Sequence, residues 1–312
     1  MHSMSHKKRL LAATAAVTVF LSVLCAADTP KDTAKAKKSD ASGAAAKTEN
    51  TKPSLGNWWD KSSLEFDKVP SQVLFHGTAN ASYMNAQGNT QGSMFSGSVD
   101  LIARKERYTN HLIAQDRKQN MTYGFGGGSV NLTETTLKDF VEYDLTSHAL
   151  AVAGVEDYHN SFLFIDRRLT YYGGLGSTLV ETKQHLINVI GGIGYANFKF
   201  DRANMVKVSP VAVASLPATA VTPSSGGALV TETWRWTFSP KLTVMQDGTY
   251  MKYFDSALGH RWEFGVNLKV PLAKYVSLVP SYRIRDEVNI ITNALRVKPQ
   301  DRTLSIGLSV SF

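Results

Sequence analysis

The chain has 312 residues, with 34 lysines and arginines against 26 acidic residues and a formal net charge of +8. Its basic residues are spread along the chain rather than gathered on one face between aromatic platforms, which argues against nucleic acid as a partner. A single cysteine, Cys25, excludes a disulfide within the chain and a thiolate metal cluster.

Read from the start, Lys7, Lys8 and Arg9 form a basic cluster and Leu10 to Leu24 an uncharged apolar run. That run is short for a bilayer span and has the form of a secretory signal. Small residues at Cys25-Ala26-Ala27 predict cleavage after Ala26 or Ala27, so residues 1–27 are assigned to a signal peptide. Leu24 stands where lipidation of Cys25 would call for Gly, Ala or Ser. Residues 28–71, rich in Ala, Lys, Asp, Ser and Thr, hold too little apolar surface to offset the entropy of ordering them and read as a flexible periplasmic lead. Trp58 and Trp59 near its end fit two roles, an anchor at the membrane interface or packing under a barrel rim.

From residue 72 to the end the hydrophobic period is two, the signature of strands. Strands are expected at 72–85, 92–106, 109–125, 131–146, 149–159, 163–177, 185–200, 228–239, 242–254, 260–270, 274–285 and 302–312. Most match the roughly nine to eleven residues that cross a bilayer at a tilt, so 72–312 is assigned to an all-β, transmembrane, antiparallel up-and-down β-barrel of about 12 strands. In the tenth, Trp262, Phe264, Val266, Leu268 and Val270 interleave with Arg261, Glu263, Gly265, Asn267 and Lys269. A basic residue on the lipid face costs about 2 to 4 kcal/mol near the midplane, so the charges must face inward, with Trp262 an interface aromatic. In the last, Leu304, Ile306, Leu308, Val310 and Phe312 alternate with Thr303, Ser305, Gly307, Ser309 and Ser311. The two longest gaps, 201–227 and 286–301, are odd-numbered connections and fall outside the cell; the shortest are even-numbered and face the periplasm. The 201–227 gap carries Val211, Val213, Leu216 and Val221 among Pro and Ser, and reads as a contact surface, a lumen plug or a partly ordered loop.

Gly88-Asn89-Thr90, Tyr143-Asp144, the run Phe162 to Arg168 and Gly173-Gly174-Leu175-Gly176 occur in this order along the barrel region. On these elements residues 72–312 resemble the salt-induced outer-membrane protein family, a domain-of-unknown-function outer-membrane β-barrel family. The resemblance implies an outer-membrane barrel and brings no catalytic residue. The terminal strand ending in Phe312 looks like the signal by which barrel-assembly machinery recognises its clients. The 201–227 segment departs from the compact family pattern.

No enzymatic site emerges. His159-Asn160-Ser161 is the one compact nucleophile and base candidate, and three adjacent residues seldom give a base oriented by a third group. His76, His111, His148, His185 and His260 lack metal-ligand spacing. Gly124-Phe125-Gly126-Gly127-Gly128 lacks the Lys and Ser/Thr of a phosphate loop and reads as a turn. Gly191, Gly192 and Gly194 fall within a strand, where they let a barrel bend or a bulky neighbour fill the lumen. Neither a cofactor nor a metal is expected.

A hairpin turning at Pro271-Leu272-Ala273 would set Arg261 opposite Arg283, with Glu263 diagonal and Arg285 one pleat higher. Like charges in that position need compensation, from Glu263, from a carboxylate such as Asp166, or from a solute anion. These four residues form a candidate charge cluster near the outer mouth of the lumen. The expected function is an integral outer-membrane barrel, either a narrow pore for small solutes, anions among them, or a salt- or stress-responsive structural barrel. The alternatives are an adhesin or receptor working through 201–227 and a barrel hydrolase using Ser161. Expected partners are outer-membrane lipid, the assembly machinery and a small solute.

Overall fold

A computed structural model describes residues 72–86, 90–123, 129–182, 184–214, 216–239, 242–295 and 300–312. The expected signal peptide, the lead with Trp58 and Trp59, Gly88-Asn89 and the glycine run at 124–128 lie outside the described residues.

The alternation seen in the sequence becomes strands β1 (Leu74–Ala86), β2 (Thr90–Lys105), β3 (Tyr108–Tyr123), β4 (Ser129–Asp144), β5 (Ala149–Asn160), β6 (Ile165–Glu181), β7 (His185–Phe200), β8 (Ser224–Ser239), β9 (Leu242–Tyr253), β10 (His260–Pro271), β11 (Val276–Val288) and β12 (Gln300–Ser311). Each pairs antiparallel with its neighbours in sequence, and β1 pairs with β12 to close a twelve-strand barrel. The last residue completes the seam: Gly77 and Phe312 exchange two backbone hydrogen bonds of 2.9 Å. Closure removes the edge strands, so every strand has a partner on both sides.

Strand parity decides what faces outward. Along β12, Leu304, Ile306, Leu308 and Val310 are exposed on the outer wall, while Thr303 faces the lumen, where Arg117 of β3 donates to it. Elsewhere Phe75, Tyr83, Phe95, Leu175, Ile193, Val230 and Tyr282 continue that exposed apolar surface around the barrel. Among the described residues no helix is long and apolar enough to cross a membrane.

The two ends differ. At the end holding the even-numbered connections the turns are short, as at 106–107 and 272–275. At the opposite end the seventh connection folds into α1 (Arg202–Val208), α2 (Pro210–Ala214) and a 3-10 turn at Ala218–Val221, and the eleventh into α3 (Ile290–Ala294). Asp201 caps α1 by accepting from the Asn204 amide at 3.1 Å, and Asn289 caps α3 by accepting from the Ile291 and Thr292 amides with a reciprocal Thr292 bond, which satisfies part of the free N–H groups at the start of these two helices. The apolar core lies inside this end. Met205 of α1, Val213 of α2 and Ile291 of α3 are buried against Phe198, Phe200 and Tyr253 of the wall and Leu258 of the ninth connection. The seventh connection is therefore an ordered cap. Val213 and Leu216 join its core, whereas Val211 is 80% exposed.

Two strands approach closely where both carry glycine. Gly174 of β6 pairs with Gly192 of β7, and a Cβ at Gly174 would sit 2.5 Å from the Gly191 carbonyl oxygen and 3.0 Å from the Gly192 Cα. Backbone cannot move aside as a flexible side chain can, so only glycine fits. Gly174→Val is expected to cost about 1 to 3 kcal/mol as overpacking and to lower the refolded fraction read by heat-modifiable gel migration; Gly191→Ala, which meets open space, should leave that fraction unchanged.

Candidate functional site

Beneath the cap, a belt of charged side chains crosses the lumen. It arises from inward-facing positions on seven strands. Arg168 of β6, with none of its side chain exposed, donates to Glu156 of β5 at 3.0 Å and to Glu287 of β11 at 2.8 Å. Arg261 of β10 reaches the same Glu156 at 2.7 Å and its own strand's Glu263 at 3.0 Å. Arg285 of β11 pairs with Glu134 of β4 and, at 3.2 Å, with Glu263. Arg283 pairs with Glu263 and lies 3.7 Å from Asp247 of β9. Arg117 of β3 pairs with Glu134, and Lys138 of β4 with Glu156 at 3.1 Å.

Tyr158 of β5 is the hub. Its ring is fully buried, and the guanidinium carbons of Arg168, Arg261 and Arg285 stand 4.2, 5.2 and 5.3 Å from its centroid. Its hydroxyl accepts from Arg285 and from Asn160, each at 2.8 Å. Arg168 also faces Phe198, which packs edge-on against Tyr253 of the wall beneath the cap. The ionic layer and the apolar layer are therefore in contact, and the cap screens the belt from water. Charge pairs gain strength in such low-dielectric surroundings, and an unmatched charge there is correspondingly expensive.

These bonds span the lumen, linking β6 to β11, β11 to β4, β10 to β5 and β3 to β12. Toward the even-connection end the lining is polar, with Thr178 bonded to Asn188 at 2.8 Å and a buried ion pair, Arg104 with Asp144 at 3.1 Å, tying β2 to β4; midway along the wall Asn80 donates to Ser98.

The four residues of the expected charge cluster, Arg261, Glu263, Arg283 and Arg285, all face inward and meet in the belt. Their register differs from the expectation. Arg261 stands opposite Glu287, Glu263 opposite Arg285, and Gly265 opposite Arg283. The hairpin turns over Leu272–Tyr275 with Pro271 opposite Ser277, its Leu272 amide donating to the Val276 carbonyl at 2.9 Å. The shift replaces facing like charges by facing opposite ones, the favourable cross-strand arrangement. Asp166 does not compensate the cluster. A bulge between Ile165 and Arg167 turns it outward, where it binds Lys199 at 2.6 Å.

Glu134, Glu156, Tyr158, Arg168 and Glu287 were missed in the sequence. The first four occupy the lumen-facing phase of their strands, and alternating charge there was the available signal. Glu287 lies beyond the expected end of its strand at 285.

Trp262 faces outward and donates to Asp286 at 3.1 Å. At the other end of the wall Trp234, Trp236 and His185 form a stacked aromatic group. His159 contacts the Thr133 hydroxyl at 3.2 Å and the Asp166 carbonyl oxygen at 2.9 Å, while Ser161 Oγ bonds the Thr133 backbone. The candidate nucleophile and base thus both bond Thr133, one at its backbone and the other at its hydroxyl. Among the described residues no group of three or more His, Cys, Asp or Glu is arranged to hold a metal ion.

The family described as "Protein of unknown function, DUF481" matches residues 79–312. No curated protein matches the sequence. Among solved structures, the chain is similar to the NanC porin at 9% identity, covering 75% of this chain and 98% of that one with a TM-score of 0.45. It is similar to an outer-membrane channel from Pseudomonas putida F1 at 11% identity, over 78% and 96% of the two chains, with a TM-score of 0.43. A third similarity is to the translocator domain of the autotransporter NalP from Neisseria meningitidis, at 11% identity over 79% and 91%, with a TM-score of 0.40.

Removing one partner of a buried ion pair strands the other charge. Arg168→Met is expected to destabilise the barrel by about 3 to 5 kcal/mol, measured by denaturant unfolding in micelles. Arg168→Met with Glu287→Leu should recover part of that loss, so the two substitutions will be strongly non-additive.

Proposed function

The chain belongs to the protein family of unknown function DUF481, and from that premise we propose that it is an integral outer-membrane β-barrel forming a narrow, normally closed pore for small solutes. The observation that carries this reading is the belt, a layer of paired charges across an otherwise polar lumen. An exposed apolar wall around a closed barrel supports the membrane setting, because hydrocarbon is the medium in which such a surface is stable and a closed barrel is one of the two backbones tolerated there. With the start of β1, the end of β12 and the short turns on the periplasmic side, the cap and belt lie toward the cell exterior. Outer-membrane lipid is then the barrel's constant partner, and the barrel-assembly machinery its partner during insertion.

Closure has two layers, and both must yield for solute to pass. Moving the cap uncovers the belt, admits water and weakens the ion pairs by raising the local dielectric. Among the described residues, six basic side chains meet five carboxyl groups in the belt. One surplus positive charge favours anions in the opened pore. A salt- or stress-responsive structural barrel is the second reading, favoured by how completely the belt's charges are paired.

Conductance in planar bilayers separates the two. The unaltered barrel is expected to be nearly silent. Deleting 202–214 together with Arg168→Ser and Glu287→Ser, which leaves five basic groups of the belt against four carboxyl groups, should give steady openings, with a reversal potential showing anion preference that Arg283→Glu reduces. Silence of the doubly opened barrel, still folded and inserted, leaves the structural reading in its place.

A further inference from the structure

One polar pair interrupts the apolar outer wall on β8 and β9. Thr231 and Thr249 meet each other on the lumen side at 3.3 Å, so their neighbours in sequence, Glu232 among them, face out. On that outer side Gln246 Nε2 donates to Glu232 Oε1 at 2.8 Å. Glu232 stands about halfway along β8 and is exposed, opposite Val189 of β7 and Gly248 of β9. Its side chain lies flat across Gly248. A Cβ added to that glycine would come within 3.0 Å of Glu232 Cγ and 3.1 Å of its Oε1. The glycine is what lets the carboxyl group reach the carboxamide.

Gly191, opposite Val230 on β7, likewise presents bare backbone with open space before it. Around the pair the outward positions are Val189, Val230, Trp234 and Tyr250. The single hydrogen bond leaves a further acceptor on Glu232 and a further donor on Gln246. Facing hydrocarbon, neither meets a further partner among the described residues, and such groups carry a cost. A second carboxyl and carboxamide pair, Asp139 with Asn110 at 2.8 Å, is partly buried, and Asn110 also donates to the Phe140 carbonyl at 3.0 Å. That pair is satisfied within its own wall.

We propose that the β8–β9 face is where two copies of this chain meet about a two-fold axis in the membrane, each Gln246 donating to the partner's Glu232. The inference rests on the outer wall facing hydrocarbon. A two-fold contact needs a surface complementary to itself, and a patch holding one donor and one acceptor side by side meets that need. Bare backbone at Gly191 allows close approach, and polar side chains between spanning elements act as glue where lipid offers no alternative partner.

The test uses the full chain with Cys25→Ser, carrying either Val230→Cys on this face or Ile306→Cys on β12, oxidised in native membranes. Val230→Cys is expected to run as a disulfide-linked dimer and Ile306→Cys as a monomer. Sedimentation of the cysteine-free chain in lipid nanodiscs should give two copies per particle, falling to one with Glu232→Leu and Gln246→Leu, while heat-modifiable migration of the closed barrel persists. A lipid-embedded monomer overturns the proposal and leaves the membrane reading standing; so does equal cross-linking at both positions. Release of the chain from membranes without detergent overturns the membrane reading itself, and the pairing with it.

Discussion

A charge enclosed in the lumen of a small barrel has to find its counter-charge within hydrogen-bond reach, and the interior of this protein is organised by that demand. Arg168, with none of its surface exposed, is held between Glu156 and Glu287, carboxyl groups from opposite sides of the wall. Arg285 and Arg261 make the same kind of crossing to Glu134 and Glu156. Strands distant in sequence are tied at one level, so the belt fixes the barrel's cross-section as well as blocking it. Tyr158 gives the three guanidinium groups an apolar face and a hydroxyl to share.

The cap and the belt depend on each other. The helices of the seventh and eleventh connections carry Met205, Val213 and Ile291 into the mouth, and the aromatic residues beneath them form the roof over Arg168. Without that roof the ion pairs would stand in water and contribute little. Without the belt the apolar layer would lie over a hydrated lumen. Opening such a lumen is therefore a matter of separating layers, because the charged residues of the belt pair with one another while the cap is seated. On the outside, Glu232 and Gln246 stand among apolar neighbours on β8 and β9.

Much of this was legible in the residues. Period-two alternation located all twelve strands in order, and the inward phase of Arg261, Glu263, Arg283 and Arg285 followed from the apolar residues between them. Three things were not. The β10–β11 hairpin turns two residues later than its sequence suggests, and because the resulting slip preserves the parity of every side chain, alternation could not detect it. The bulge at the start of β6 adds one residue, which reverses parity locally and sends Asp166 outside. Glu287 lies on a strand extension held by pairing with β10, so it looked like loop.

Sequence by itself determined the kind of object this is: a chain of alternating segments whose apolar phase must leave the aqueous lumen and whose polar phase must line it. That follows from local periodicity, which each strand carries within itself. Which carboxyl group meets which arginine, and that two long connections fold back as a lid, were decided only when the barrel closed. Those contacts join residues more than a hundred positions apart, such as Arg168 with Glu287 and Arg285 with Glu134, and their pairing depends on strand register, bulges and curvature that no single segment encodes.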